Sequence, residues 1–429
     1  MVKEIIVDIG LLQTRVAVLE DGEPAEIFIE GSRPQRLVGN IYRGIVREVL
    51  PGIQAAFIDI GVEKNAYLYV SEAVPGGKSG TDRSETSLDG AKVHKPRIEQ
   101  IIKPGREITV QVIKEPVEGK GARVTTNITL PGKYAVLVCN NSLANVSAKI
   151  KNDSERERLK NIASKFCGEG SGIIIRTASE GVKDSEIENE ILMLLRLRDS
   201  IFKKESKGKV PRILHQETGL HVKIAREYLN KDVKGFVIND RDRYNELLDY
   251  LDKVSPDLKN KIKLFHQEYD LFEYYRIEPA IREALSRKVW LKCGGYLVFD
   301  ETEALTVIDV NTGKFTGKRE QENTILQTNL EAAAVIARQI RLRNIEGIIL
   351  VDFIDMKEES HKDKVVSFLK EAVRADRNKV IVEGITKLGL VEMTRKKVRG
   401  TLRETITKPC PVCGGTGRLI QQPGQRGSI

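Results

Sequence analysis

Through the first third of the chain, apolar and polar positions alternate with a period of two. Glu4-Ile5-Ile6-Val7-Asp8-Ile9 and Thr14-Arg15-Val16-Ala17-Val18-Leu19 predict an opening hairpin, and Asp21-Gly22 marks a turn, because this pair tolerates positive φ. The same alternation recurs at residues 41–46, 55–60, 66–70 and 108–112 with glycine turns between, which predicts a small closed barrel. Residues 75–96 are rich in Gly, Ser, Lys and Asp and hold no aromatic residue; too polar to bury itself, the stretch predicts a mobile loop inserted in the barrel. The period then lengthens. Residues 153–214 predict two helices flanking the strand Ile173-Ile174-Ile175, the second placing Ile187, Ile191, Leu194, Leu195, Arg198 and Phe202 near helical spacing. Strands and helices mix over residues 220–280, and a βαβ pattern runs from 281 to 401.

Within that last pattern two apolar runs end in aspartate: Leu305-Thr306-Val307-Ile308-Asp309-Val310-Asn311 and Ile348-Ile349-Leu350-Val351-Asp352. Residues 324–343 between them predict a helix with a stripe of Leu326, Leu330, Ala333, Ala334, Ala337 and Ile340. A strand, crossover helix and strand set the two strands parallel, so both carboxylates face one crevice, and Asn311 shares the strand face of Asp309. Two hard carboxylates and a neutral amide suit magnesium better than zinc. Singly, either aspartate also reads as a cap for the turn that follows; Asp355 and Asp8 read as turn residues. Nine cations from Arg374 to Arg403, among them Lys379, Arg395 and Lys396, predict a stripe along a phosphate backbone.

Charge sharpens this picture. Across 429 residues, 70 Lys and Arg outnumber 61 Asp and Glu for a net charge of +9, which favours a polyanionic partner, and the length predicts two to four folded units at about 100–200 residues each. The chain has no run of about 18 apolar residues and no secretory leader pattern at its N-terminus, so a cytoplasmic protein without a membrane partner is expected. Cys139, Cys167 and Cys293 are widely separated and read as small buried residues, whereas Cys410-Pro411-Val412-Cys413-Gly414-Gly415 resembles a zinc knuckle. Two ligands are half of a tetrahedral site, and a second copy of the chain would complete it with one Zn2+ per two chains; a redox cysteine pair is the alternative. Residues 418–429 read as a disordered tail.

The runs Val307 to Asn311, Val351-Asp352-Phe353-Ile354-Asp355-Met356 and Leu388-Gly389-Leu390-Val391-Glu392-Met393-Thr394-Arg395, with the cysteine pair, stand in the order and spacing of the RNase E/G family, which the chain resembles from Ile5 to Gly417. The resemblance implies an α/β multidomain fold. Its parts are an RNase H-like subdomain (1–35 and 215–280) with an inserted OB-fold barrel (36–125), a 5′-sensor region (126–214), a DNase I-like catalytic subdomain (281–400) and a zinc link (401–417). It implies a magnesium-dependent endoribonuclease that leaves 5′-phosphate and 3′-hydroxyl ends on single-stranded A/U-rich RNA, is stimulated by a 5′-monophosphate, and serves ribosomal RNA processing and mRNA decay. Asp309 and Asp352 would hold Mg2+, with Asn311 orienting the site. Phe57, Tyr67 and Lys114 would contact RNA; Arg176 and Thr177, with Lys379 in place of a family arginine, would hold the 5′-phosphate. Cys410 and Cys413 would link a homodimer that pairs again into a homotetramer. Without the long tail of some relatives, the chain resembles the shorter branch of the family. A non-catalytic RNA-binding protein and a DNA nuclease are the rival readings.

Overall fold

The computed structural model describes residues 2–31, 37–73, 96–116, 120–168, 170–313, 321–415 and 417. The expected loop at 75–96 and the tail at 418–429 lie, but for Pro96, outside the described residues. The chain divides into two compact units: Met1–Ile29 with Asp232–Asp240 and Lys263–Ile429, and Glu30–Lys231 with Arg241–Ile262.

The second unit contains the barrel. Strands Ile41–Leu50, Ala55–Asp59, Ala66–Tyr69, Arg123–Thr125 and Glu107–Lys114 pair in that order, and the last returns to pair with the first, closing five strands. Arg123–Thr125 was not legible as a strand, being only three residues long. Alternation puts Ala56, Ile58, Ala66, Leu68, Val110, Val112 and Val124 inside the barrel. The unit's other sheet, ordered Ala144–Val146, Ser171–Ile175, Ala135–Cys139, Thr129–Pro131, packs against helices Asp153–Phe166 and Asp184–Glu205. The latter turns Ile187, Ile191 and Leu194 into the core, as its periodicity predicts.

In the first unit, segments more than 200 positions apart share one sheet, with Lys3–Ile9 between Gln13–Glu20 on one side and Val233–Ile238, parallel, on the other. Gln13–Glu20 turns into Glu23–Gly31 through Asp21 (φ 51°) and Gly22 (φ 84°), the left-handed pair that a tight hairpin requires. A six-stranded sheet follows in the order Lys288–Trp290, Tyr296–Glu301, Leu305–Asn311, Gly347–Asp352, Val391–Arg395, Val380–Ile385. One face is buried by helices Gln321–Leu342 and Glu359–Ala372 around Leu297, Phe299, Ile308, Val310, Ile349 and Val351. Helix Gln321–Leu342 does not bury the predicted stripe unchanged. Ala334 is exposed, while Ala332 and Ile336 are fully buried; a run of small residues leaves the apolar arc too broad to fix its rotation from sequence.

Candidate active site

Strand Leu305–Asn311 sends Ile308 and Val310 into the core, so Asp309 and Asn311 stand on the open face. Gly347–Asp352 buries Ile349 and Val351 and leaves Asp352 exposed. The two strands are parallel and in register, with Asp309 directly opposite Asp352, which sets their Cα atoms about 5 Å apart. The Asn311 amide donates to Asp309 Oδ2 at 2.6 Å and fixes that carboxylate's orientation. Partial desolvation raises the Asp352 carboxyl above the usual range, and the nearby carboxylates of Asp309 and Asp355 push it the same way.

Two residues that the sequence did not single out hold this edge in place. Asn329, fully buried on helix Gln321–Leu342, donates to the carbonyl of Ile354 (2.8 Å) and accepts from its N–H (3.1 Å), clasping the segment just past Asp352. Its only sequence signal is an asparagine inside an apolar helix. Gly313 lies two residues past Asn311 at φ +60°, and a Cβ there would fall 2.4 Å from the Gly294 carbonyl oxygen, so the strand must exit through glycine.

The donor set fits a hard cation. Among the described residues there is no group of three or more His, Cys, Asp or Glu able to hold a metal, but magnesium is commonly held by one or two carboxylates and keeps its waters. The facing pair Asp309 and Asp352, with Asn311, meets that requirement.

Asp8 is not such a site. It accepts from Arg15 (2.8 and 2.5 Å) and from Asn239 (2.7 Å), and is neutralised in place. The basic stripe also needs correction. Arg395 is 3% exposed and donates to Asp376 (2.7 Å), Asn344 (2.8 Å) and the Ile345 carbonyl (3.1 Å), because strand alternation turns it inward beside Met393. Arg374 pairs with Glu371 at 2.5 Å. Lys379, Lys387, Lys396 and Lys397 remain exposed.

On the barrel, Phe57 and Tyr67 face outward, opposite each other on adjacent strands, with ring centroids 5.6 Å apart. Tyr67 is in register with Arg123, and Arg123 with Lys114, so Lys114, Arg123, Tyr67 and Phe57 form one row across four strands. Tyr69 extends it, its ring 4.5 Å from Tyr67 and 5.1 Å from the Arg123 guanidinium carbon. Burial, then the hydrogen bond to Tyr69, pushes the Tyr67 hydroxyl up to about 12. Arg123 and Tyr69 were not singled out: the three-residue strand of Arg123 gives no periodicity to read, and Tyr69, though in a strand that was read, joins the row only through its ring contacts.

Arg176 and Thr177 end strand Ser171–Ile175 and open a short helical turn. Arg176 Nη1 donates to the Gly132 carbonyl (2.7 Å), and the Thr177 and Ser147 hydroxyls lie 3.0 Å apart. Lys379 is in the other unit, just ahead of strand Val380–Ile385. Cys410 and Cys413 flank a turn in which the Gly417 N–H donates to Cys413 Sγ at 3.2 Å, with Gly414, Gly415 and Gly417 at positive φ. Amides turned toward sulfur are the environment of a metal-bound thiolate. Cys139 is buried, and Cys167 and Cys293 are half-buried.

The fold and site define a mixed α/β multidomain protein that joins a closed five-stranded barrel, consistent with an OB-fold, to a sheet bearing paired carboxylates. Residues 129–398 match the model of the Ribonuclease E/G family. Ribonuclease G of Escherichia coli (strain K12) is 39% identical over 421 residues, 98% of this chain and 85% of that protein, and Ribonuclease G of Haemophilus influenzae is 40% identical over 97% of this chain and 84% of that protein. Ribonuclease E of Nostoc sp. is 37% identical over 95% of this chain and 58% of its own length. The chain belongs to the ribonuclease E/G family. No helix among the described residues is long and apolar enough to cross a membrane.

Proposed function

We propose that this endoribonuclease cleaves single-stranded, A/U-rich RNA at the edge formed by Asp309, Asn311 and Asp352, in ribosomal RNA processing and mRNA decay. The observation that carries the reading is the register pairing of Asp309 with Asp352 on the open face of the sheet. Binding RNA needs no converging carboxylates, whereas metal-assisted hydrolysis uses them to hold the ion. Asp309 and Asp352 would hold Mg2+, which when bound supplies charge neutralisation at the scissile phosphate and acidification of a water. Asn311 keeps the Asp309 carboxylate aimed at that position. Attack on phosphorus with departure of the 3′ oxygen leaves 5′-phosphate and 3′-hydroxyl ends.

Phe57 and Tyr67 offer faces on which unpaired bases stack, each worth about 1–3 kcal/mol, and Lys114 draws the backbone. Arg176 and Thr177 supply a planar fork and a hydroxyl for a 5′-monophosphate, and by family resemblance Lys379 stands where a further phosphate-contacting arginine is expected. Cys410 and Cys413 supply half of a Zn2+ site that a second chain completes as a homodimer, itself able to pair into a tetramer. Labelled RNA and DNA oligomers incubated with Mg2+ or EDTA test the reading. Asp309→Asn or Asp352→Asn is expected to abolish RNA cleavage while binding persists; near-normal cleavage by either variant would reject the assignment, and equal cutting of DNA would favour a general nuclease.

A further inference from the structure

The open face of the six-stranded sheet carries more than carboxylates. Register sets Trp290 opposite Tyr296 and Tyr296 opposite Asn311; one step along, Lys288 faces Val298, Val298 faces Asp309, and Asp309 faces Asp352. Intervening residues Val289, Leu297, Ile308 and Val351 are buried, so both rows lie on the side of the sheet that bears the carboxylates. At about 4.8 Å between neighbouring strands, Tyr296 is one strand and Trp290 roughly 10 Å from Asn311.

The far end of these rows is an aromatic and cationic cluster. The Trp290 and Tyr296 rings meet at 63° with centroids 5.4 Å apart. Lys288 Nζ lies 3.4 Å from the Tyr296 centroid and 4.0 Å from that of Trp290, clamping the pair from one side. Trp290 nonetheless remains 63% exposed. A large indole held at a fixed angle in water, with an ammonium beside it, matches what an unpaired nucleobase and its phosphate require.

We propose that Trp290, Tyr296 and Lys288 form a binding subsite for an unpaired base of the substrate RNA, one or two nucleotides from the scissile phosphate. Trp290 supplies the stacking face, Tyr296 sets its angle, and Lys288 holds the rings and attracts the adjoining phosphate. This rests on Asp309 and Asp352 being the cleavage centre; the base contact itself does not need their chemistry.

The chain contains a single tryptophan, so its intrinsic fluorescence reports this place alone. Titrating the full-length Asp309→Asn variant with a single-stranded RNA oligomer is expected to quench and shift that emission. In the wild type, oligomers with one abasic position, moved stepwise from the cleavage site, are expected to raise KM about tenfold at one or two positions, as loss of a stacked base requires. Trp290→Ala should raise KM for intact RNA by a similar factor with kcat within about twofold, and should erase the abasic effect; Trp290→Phe should restore most of it. An emission that ignores RNA, or that responds to protein concentration instead, would overturn the subsite, the latter assigning the indole to contact between copies. A Trp290→Ala enzyme with unchanged KM and abasic profile would do the same. Normal cleavage by Asp309→Asn would displace the cleavage centre while leaving the fluorescence and abasic results to judge the subsite.

Discussion

Lys133 is a side chain whose protonation is costly in this fold. It is 7% exposed, its Nζ donates to Ser255 Oγ at 3.1 Å, and burial pushes it down to about 8 from an ordinary 10.5, against the pull of Glu190. Glu190 accepts from the backbone N–H groups of Lys133, Tyr134 and Ala135 (2.6, 2.7 and 3.0 Å), yet burial still raises its carboxyl. Below pH about 8 the folded chain must keep a buried ammonium; between there and 10.5 the unfolded chain holds a proton that the folded chain has released. Stability from this group therefore rises with pH across that window. Urea unfolding of wild type and Lys133→Met should show their difference shifting toward the wild type between pH 7.5 and 10, by on the order of 2 kcal/mol. A difference that stays constant with pH would mean that Lys133 is not held in this state. Nothing in the sequence marked it, because one lysine before Tyr134 gives no sign of the helix that will cover it.

At the scale of elements, helix Gln321–Leu342 does more than connect two strands. Asn329 clasps Ile354, and Glu331 accepts from the backbone of Lys292 (2.5 Å) and Cys293 (3.1 Å) in the turn between the Trp290 and Tyr296 strands. Asn329→Ala leaves both backbone groups of Ile354 without that partner, for a stability loss of about 1–3 kcal/mol. Because the clasp lies just past Asp352, kcat is also expected to fall about tenfold while KM for RNA holds; a folded variant with unchanged kcat would show that the strand end is positioned otherwise. The parallel pair, the crossover and the shared face of Asp309 and Asn311 were legible in the sequence, since two apolar runs separated by one helix leave little topological freedom. The inward turn of Arg395 was not. Charge alone puts an arginine outside; the strand alternation that turns Arg395 inward, with Asp376 placed just ahead of strand Val380–Ile385, makes the buried pair.

For the whole molecule, the lengths of pattern decided what could be read. Runs such as Ile5 to Ile9 and residues 185–206 announce their elements, but that segments Lys3–Ile9 and Val233–Ile238 would share a sheet is a long-range pairing with no local signal. In the cross-strand row, Lys114, Tyr67 and Phe57 were legible through likeness to relatives, while Arg123 and Tyr69 needed the register. Assembly is tested through the cysteines. Native mass spectrometry with metal analysis is expected to find one zinc for every two chains, and Cys410→Ser with Cys413→Ser to release it and lower the oligomer, because serine stays protonated near neutral pH and binds zinc poorly. One zinc per chain, or an unchanged oligomer, would contradict a shared site.

The pairing of Asp309 with Asp352 also fixes where this gene can gain or lose codons. The two aspartates stand 43 positions apart (352 − 309) with helix Gln321–Leu342 between, and a connection outside the helix can absorb an insertion with little change to either strand. A single codon lost within Gly347–Asp352 is another matter: side chains alternate, so a slip of one would turn the Asp352 carboxylate toward the packed core and bring Ile349 and Val351 out into water. Codons can therefore be gained or lost outside the helix that carries Asn329 and Glu331 while the two strands keep their phase, and the alternation of faces, more than the distance along the chain, sets what the gene must keep here.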